Sequence, residues 1–411
     1  MTETSVSESG EQPVWARDDA FPRAPEGWGW QDPKGGRHAC GSEAELLETI
    51  RDDRAGIVFL VWSPRHPHMV VPEEIEGATS ELLIARKRRA SDDFAESLDR
   101  VRWFGFLLAG VTLWMLYQGW AYAPRAADAA ERIGFAFRAV LISGSIGISL
   151  LMFLIFAFIP WYQSRKRLKE LVRWDAGDIA EAVPILRFET WLDYQKAPVT
   201  MLMLGIISVV GLVQFLPGSS IEAAGLVKER YPGAGEWWRL LTAPLLHGNP
   251  VHFALNAAAL YYLGKRVEVF ARWPHVVVVF LFSAWVGGEA SARFLAAPSV
   301  GASGGLMGWL GFLLVFESLH ARLVPRRSRR RLLAGVILTA VIGAIGFRFI
   351  DNAAHAGGLL AGMAYGALVF PKSSSAMRPR TTITDLVAGA AAMLVLLASA
   401  AWAVFVIASA R

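Results

Sequence analysis

Nine apolar stretches, each near the length that a helix needs to cross a bilayer, constrain this chain more than any other feature. They cover 101–123, 139–162, 198–217, 250–270, 274–296, 302–320, 332–349, 353–370 and 385–409. About 20 helical residues span a hydrocarbon core about 30 Å thick. Lipid offers no partner to an unpaired backbone group, so such segments fold as helices. The composition agrees, with 54% hydrophobic and only 19% charged residues, whereas soluble domains carry about 25% charged residues. A disordered chain is excluded. So is a disulfide-stapled domain, because Cys40 is the single cysteine, and no Cys/His spacing points to a metal.

The connections between the stretches set an orientation. Arg86-Lys87-Arg88-Arg89 precedes the first stretch and Arg165–Lys169 follows the second. Lys265-Arg266 ends the fourth, Arg322 and Arg326–Arg331 separate the sixth from the seventh, and Lys372, Arg378 and Arg380 separate the eighth from the ninth. The loops at 297–301 and 350–352 carry no Lys or Arg. Basic loops stay on the cytoplasmic side, so the expectation is a multi-pass integral membrane protein with its N-terminus cytosolic and its C-terminus outside. A bacterial cytoplasmic membrane fits this arrangement. The net charge of +5 is then a topology signal, with anionic lipid as a partner for the arginines and no nucleic acid implied.

Residues 1–100 differ in kind, with 12 Lys+Arg against 20 Asp+Glu. No secretory h-region follows Met1, and the first ~35 residues have the composition of a disordered segment. Ile57–Trp62 reads as a buried strand, and Glu43–Arg51 and Glu81–Arg100 read as helices. His66 and His68 flank Pro67 and read as solvated loop residues. The expectation is a small cytosolic α+β domain whose partner is left open. The chain then divides into that region (1–100), an extra transmembrane hairpin (101–163), a cytosolic linker with an amphipathic segment (164–197), a six-span core (198–371), and a linker with a further span (372–411).

In this topology the fourth, sixth and eighth stretches all start at the outer surface, and each start is polar. The fourth opens with His247-Gly-Asn-Pro-Val-His252-Phe-Ala-Leu-Asn256, which puts His252 and Asn256 at i,i+4 on one helix face. The sixth opens with Gly301-Ala-Ser303-Gly304-Gly305 and the eighth with Asn352-Ala-Ala-His355-Ala-Gly-Gly358. Polar groups at membrane depth are costly and are functional candidates by default. A serine hydroxyl is a weak nucleophile until a base takes its proton. His355 can serve only within hydrogen-bond reach, about 2.6–3.2 Å, which demands closely approaching backbones. Gly304 and Gly308 on one helix, with Gly358, Gly362 and Gly366 on the other, supply the small faces. His252, Asn256 and the backbone N–H of Ser303 are donors for the negative oxygen that attack creates. Each residue singly also fits a blander role: serine beside glycine is ordinary helix packing, and a lone membrane histidine is commonly a structural hydrogen bonder.

Taken together, GASG around Ser303, AHxxGxxxG around His355 and HxxxN at His252 and Asn256 resemble the rhomboid intramembrane serine proteases. Glu236-Trp-Trp238-Arg239 also resembles that family's Trp-Arg motif. The likeness covers about 198–371 and implies an all-α polytopic fold, a rhomboid-like six-helix core to which this chain adds two N-terminal spans and one C-terminal span. It implies a Ser303–His355 dyad, an oxyanion site from His252 and Asn256, and transmembrane proteins as substrates. It implies structural roles near the site for His247, Trp238, Arg239, Gly301, Gly304, Gly358 and Gly362, and no metal or other cofactor. Met307 departs from the family pattern, which often has a tyrosine four residues after the serine.

Other readings stand beside this one. A rhomboid-like membrane adaptor or chaperone would bind transmembrane helices without cutting them, and such members typically lose the serine or the histidine. A transporter would need ionisable residues along a continuous path, and the candidates for one are mainly Glu289 and Glu317. A metalloprotease would need HExxH, which the sequence lacks. Glu289 could line a water path or brace the core. Asp351, four residues before His355, could be a third catalytic acid or a helix cap.

Overall fold

A computed structural model describes residues 12–124, 128–216 and 218–410. The chain is mostly helical, with several apolar helices, and it is an integral membrane protein. Its described residues divide into two compact units, those within 21–187 with 344–346, and those within 12–20, 188–343 and 347–410.

The first unit begins with strands β1 (Trp28–Gln31) and β2 (Arg37–Cys40), and β3 (Leu60–Trp62) completes an antiparallel sheet of order β2-β1-β3. Trp28 pairs with Cys40, and Gly29 pairs with Trp62. Thus β1 lies within the 35 residues whose composition reads as disordered. The reason is local: Trp30 stacks on His38 at 4.1 Å between centroids, and Trp28 packs on the core, so two aromatic anchors outweigh the glycines around them. Residues 1–11 lie outside the described residues. Helix α1 (Glu43–Asp52) starts at Ser42, whose hydroxyl accepts from Glu45 N, and it buries Leu46 and Ile50 against Val61, Val70, Ile75 and Leu82.

Helix α2 (Thr79–Ala121) is one 43-residue element, where the sequence reads as a helix and then a separate span. The return is more broken than the single stretch 139–162 implies. Helix α3 (Ala129–Ile142) ends at Ser143, whose extended backbone and side chain, accepting from Ile146 N, start α4 (Gly144–Phe153). A π-helical turn at Leu154–Phe158 leads into α5 (Ile159–Arg173), where Pro160 cannot donate to the ladder. Ser97 of α2 and Ser164 of α5 are bonded at 2.7 Å. Helix α6 (Ala176–Tyr194) lies within the stretch read as a linker with an amphipathic segment. Its Ile179 joins the core of this unit, and its Arg187 lies 2.7 Å from both oxygens of Glu74.

The second unit holds α7 (Pro198–Gln214), the short α8 (Ser220–Ala224) and α9 (Arg239–Thr242), then α10 (Pro250–Ala271), α11 (Trp273–Phe294), α12 (Ser303–Leu319), α13 (Arg326–Ile345), α14 (Asn352–Val369) and α15 (Ile383–Ser409). Every core stretch read from the sequence therefore lies on a helix. By length and apolarity alone, α2, the α4–α5 segment, α11 and α15 qualify as membrane spans, and α6 with α7 forms a pair bent by 60°. The others are shorter or more polar, and charged residues on α10 and α12 pair inside the unit. Arg266 and Glu317 are both buried, with Nε–Oε1 at 2.5 Å and Nη2–Oε2 at 3.0 Å, and Ser328 accepts a third bond from Arg266. Glu268 accepts from Thr200 N at 2.8 Å and from its hydroxyl at 2.7 Å.

Glycine brings α11, α12 and α14 into backbone contact. A methyl on Gly358 would strike the Gly304 carbonyl, one on Gly362 would strike the Gly308 carbonyl, and one on Gly287 would meet the Ala354 carbonyl at 2.6 Å. Helix α15 lies against α11, where a Cβ on Gly389 would sit 2.6 Å from Pro274.

Candidate active site

The starts of α10, α12 and α14 carry the polar residues that the sequence singles out. Asn249 caps α10 by accepting from His252 N at 2.9 Å, and Pro250 occupies the first helical position. One turn on, Asn256 is buried and donates one amide hydrogen to the His252 carbonyl at 3.0 Å. Its second hydrogen stays available, since a carboxamide carries two.

The loop before Ser303 passes directly over these two side chains. A Cβ on Gly301 would fall 2.7 Å from His252 Cε1, 3.0 Å from Nε2 and 3.9 Å from Asn256 Nδ2. Gly301 also has φ +127°, a conformation in which a side chain is strained. Position 301 is therefore glycine for two separate reasons. Its N–H is held by the Ala243 carbonyl at 3.0 Å. Ser303 then opens α12, where backbone N–H groups lack helical acceptors and carry the positive end of the helix dipole.

Helix α14 is laid against α12 by the Gly304–Gly358 and Gly308–Gly362 contacts, so His355, in the first turn of α14, sits beside the first turn of α12. Its N–H is held by the Asp351 carbonyl at 3.0 Å, and Asp351 and His252 are the titratable neighbours of its ring. Among the described residues no hydrogen bond joins the Ser303 hydroxyl to the His355 ring. Catalytic hydrogen bonds in general are often long before substrate arrives. Met307, one turn after Ser303, is buried.

The flanking residues are tied in by specific bonds. Arg239 is buried, with Nε on Glu236 at 2.6 Å and Nη1 on the carbonyls of Glu222 at 3.1 Å and Gly225 at 2.7 Å. Its guanidinium stands 4.6 Å from the Trp238 ring centroid. His247 is buried, edge-on to His252 at 5.2 Å and to Phe253 at 5.3 Å. Gln214 of α7 clamps its backbone: Oε1 accepts from His247 N at 2.8 Å, and Nε2 donates to the His247 carbonyl.

Two open alternatives from the sequence have geometric answers. Asp351 caps α14, with Oδ1 accepting from Ala354 N at 2.9 Å. Glu289 accepts from the Tyr231 hydroxyl and lies 3.4 Å from Arg293, which matches bracing. Sequence reasoning missed Gln214, Lys228, Ser291 and Ser299. No local signal marks them, because Gln214, Lys228 and Asp351 meet their partners across dozens of residues.

Residues 234–372 match the family model described as Rhomboid domain. The chain is 35% identical over 161 residues to Rhomboid protease GluP of Bacillus subtilis, covering 38% of this chain and 31% of that protein. It is 32% identical over 160 residues to RHOMBOID-like protein 6, mitochondrial, of Arabidopsis thaliana (38% and 52%), and 31% identical over 176 residues to RHOMBOID-like protein 5 of the same plant (39% and 56%). The chain spans a third to just over half of the length of these relatives.

Proposed function

From the rhomboid domain that residues 234–372 form, we propose that this chain is an intramembrane serine endopeptidase acting on transmembrane proteins. The observation that carries the reading is the Gly301 turn. It packs His252 and Asn256 beneath the segment that presents Ser303, while α14 brings His355 alongside.

In this reading Ser303 Oγ attacks the scissile carbonyl as the His355 imidazole takes the hydroxyl proton. The carbonyl oxygen becomes an oxyanion that accepts from the His252 ring, the free amide hydrogen of Asn256 and the Ser303 N–H. Expulsion of the amine, with the proton returned from His355, leaves an acyl-enzyme on Ser303. Water, deprotonated by His355, then releases the acid and restores the hydroxyl. Donors aimed at the oxyanion act strongly because water is largely excluded from such a site. The basic connections favour a topology in which these helix starts face the outside and residues 1–100 the cytosol, in a bacterial cytoplasmic membrane. Substrate is then cut near the outer face.

The test is cleavage of a reconstituted single-pass membrane protein in proteoliposomes. Wild type cuts, and Ser303→Ala and His355→Ala do not. Cutting that persists in Ser303→Ala removes the proposal, and the adaptor reading takes its place if wild type binds such helices without cutting them.

A further inference from the structure

Beside the proposed dyad lies a polar cluster whose members come from four separate places in the chain. Lys228 follows α8, Ser291 is near the end of α11, Ser299 is in the loop before α12, and Asp351 caps α14. Lys228 Nζ donates to Ser291 Oγ at 2.6 Å and to Ser299 Oγ at 2.8 Å. Both hydroxyls reach Asp351 Oδ2, from Ser299 at 2.7 Å and from Ser291 more closely still. The two hydroxyl oxygens are themselves 2.7 Å apart. Each hydroxyl has a single proton, and the carboxylate is the strongest acceptor within reach. Both protons therefore point to Asp351, and each hydroxyl oxygen accepts from the ammonium. Charge thus runs from Lys228 through two hydroxyls to Asp351, using two of the three ammonium hydrogens and both hydroxyl protons.

The placement of this cluster is informative. Ser299 lies four residues before Ser303, and Asp351 lies four residues before His355. Ser299 is also locked to the loop that carries Lys228, because Leu226 and Ser299 exchange backbone bonds at 3.0 and 3.1 Å. The other oxygen of Asp351 caps α14, and its carbonyl holds His355 N.

We propose that Lys228, Ser291, Ser299 and Asp351 are positioning residues, a single knot that fixes the turn bearing Ser303 relative to the turn bearing His355. The inference rests on the reading of those two residues as the dyad. It explains why a lysine is drawn into a half-buried place where only hydroxyls and one carboxylate receive it. Burial pushes Lys228 down to about 8, with Asp351 and Glu229 opposing the shift. The other charged groups nearby on α11, Glu289 and Arg293, pair with each other. Above about pH 8 the ammonium loses its charge and the knot loosens.

The experiment follows the rate of labelling by a fluorophosphonate probe on the full chain in detergent. Displacing a reacting group by about 1 Å slows reaction by roughly 10²-fold. Lys228→Met and Asp351→Asn, the second of which keeps a capping oxygen, are expected to label about 10- to 100-fold more slowly than wild type. The wild-type rate is expected to fall above about pH 8, and Lys228→Arg, permanently charged, is expected to carry that limb to higher pH. Lys228→Met labelling at the wild-type rate overturns the proposal, as does an unchanged alkaline limb in Lys228→Arg, which decides alone if Lys228→Met does not fold. Amide exchange at 352–356 separates this inference from the protease reading. If wild type is never labelled, the protease reading fails. Faster exchange at the start of α14 in Lys228→Met then supports the knot, and unchanged exchange overturns it.

Discussion

At the scale of single residues, the site depends on what a side chain would obstruct as much as on what it supplies. Gly301→Ala adds a carbon 2.7 Å from His252 Cε1 and forces a side chain onto φ +127°. The account expects turnover to fall by roughly 10²-fold with the helical circular dichroism intact. His252→Ala and Asn256→Ala remove the proposed oxyanion donors, and each is expected to lower kcat by roughly 10²–10³ with KM little changed. A rate equal to wild type would return either residue to a structural role. The proposed roles of Ser303, His355, His252 and Asn256 can be read from the sequence because acyl transfer needs those residue types, and the alternation of basic loops puts the starts of their stretches on one side. Lys228 and Gln214 were not legible. Their meaning appears only when Ser299 and Asp351, or His247, arrive from distant parts of the chain.

At the scale of elements, the glycine faces of α12 and α14 set how near two helices can come. Gly358→Val would push against the Gly304 carbonyl. Its expected signature is a lower unfolding temperature together with lost labelling, since separation of the helices undoes both packing and site. The buried Arg266–Glu317 pair gives a contrasting case. Removing one partner leaves an uncompensated buried charge, which costs about 3–5 kcal/mol. Arg266→Met and Glu317→Gln should each destabilise strongly, and Arg266→Met/Glu317→Leu should recover much of the loss, as thermal unfolding in detergent can read. Sequence reading places Arg266 among the topology-setting cations, yet it is internal and paired. Charge counting cannot tell a loop arginine from one whose carboxylate lies 51 residues away. Element ends were similarly opaque: α2 runs unbroken through an expected boundary, and Ser143 divides an expected span, because caps and tertiary contacts decide continuity.

At the scale of the whole molecule, the proposed topology puts the starts of α10, α12 and α14 at the outer face. In a Cys40→Ser background, Ala297→Cys in the loop before α12 should react with a membrane-impermeant maleimide in intact cells. Ser374→Cys, after α14, should react only once the membrane is permeabilised. The reverse pattern inverts the orientation while leaving the chemistry of the site intact. The central claim is that Ser303 is the nucleophile, and the most direct measurement is the mass of the peptide that carries a fluorophosphonate adduct. One adduct is expected, on Ser303, absent from Ser303→Ala and greatly reduced in His355→Ala. An adduct on another residue, or one that survives in Ser303→Ala, contradicts it.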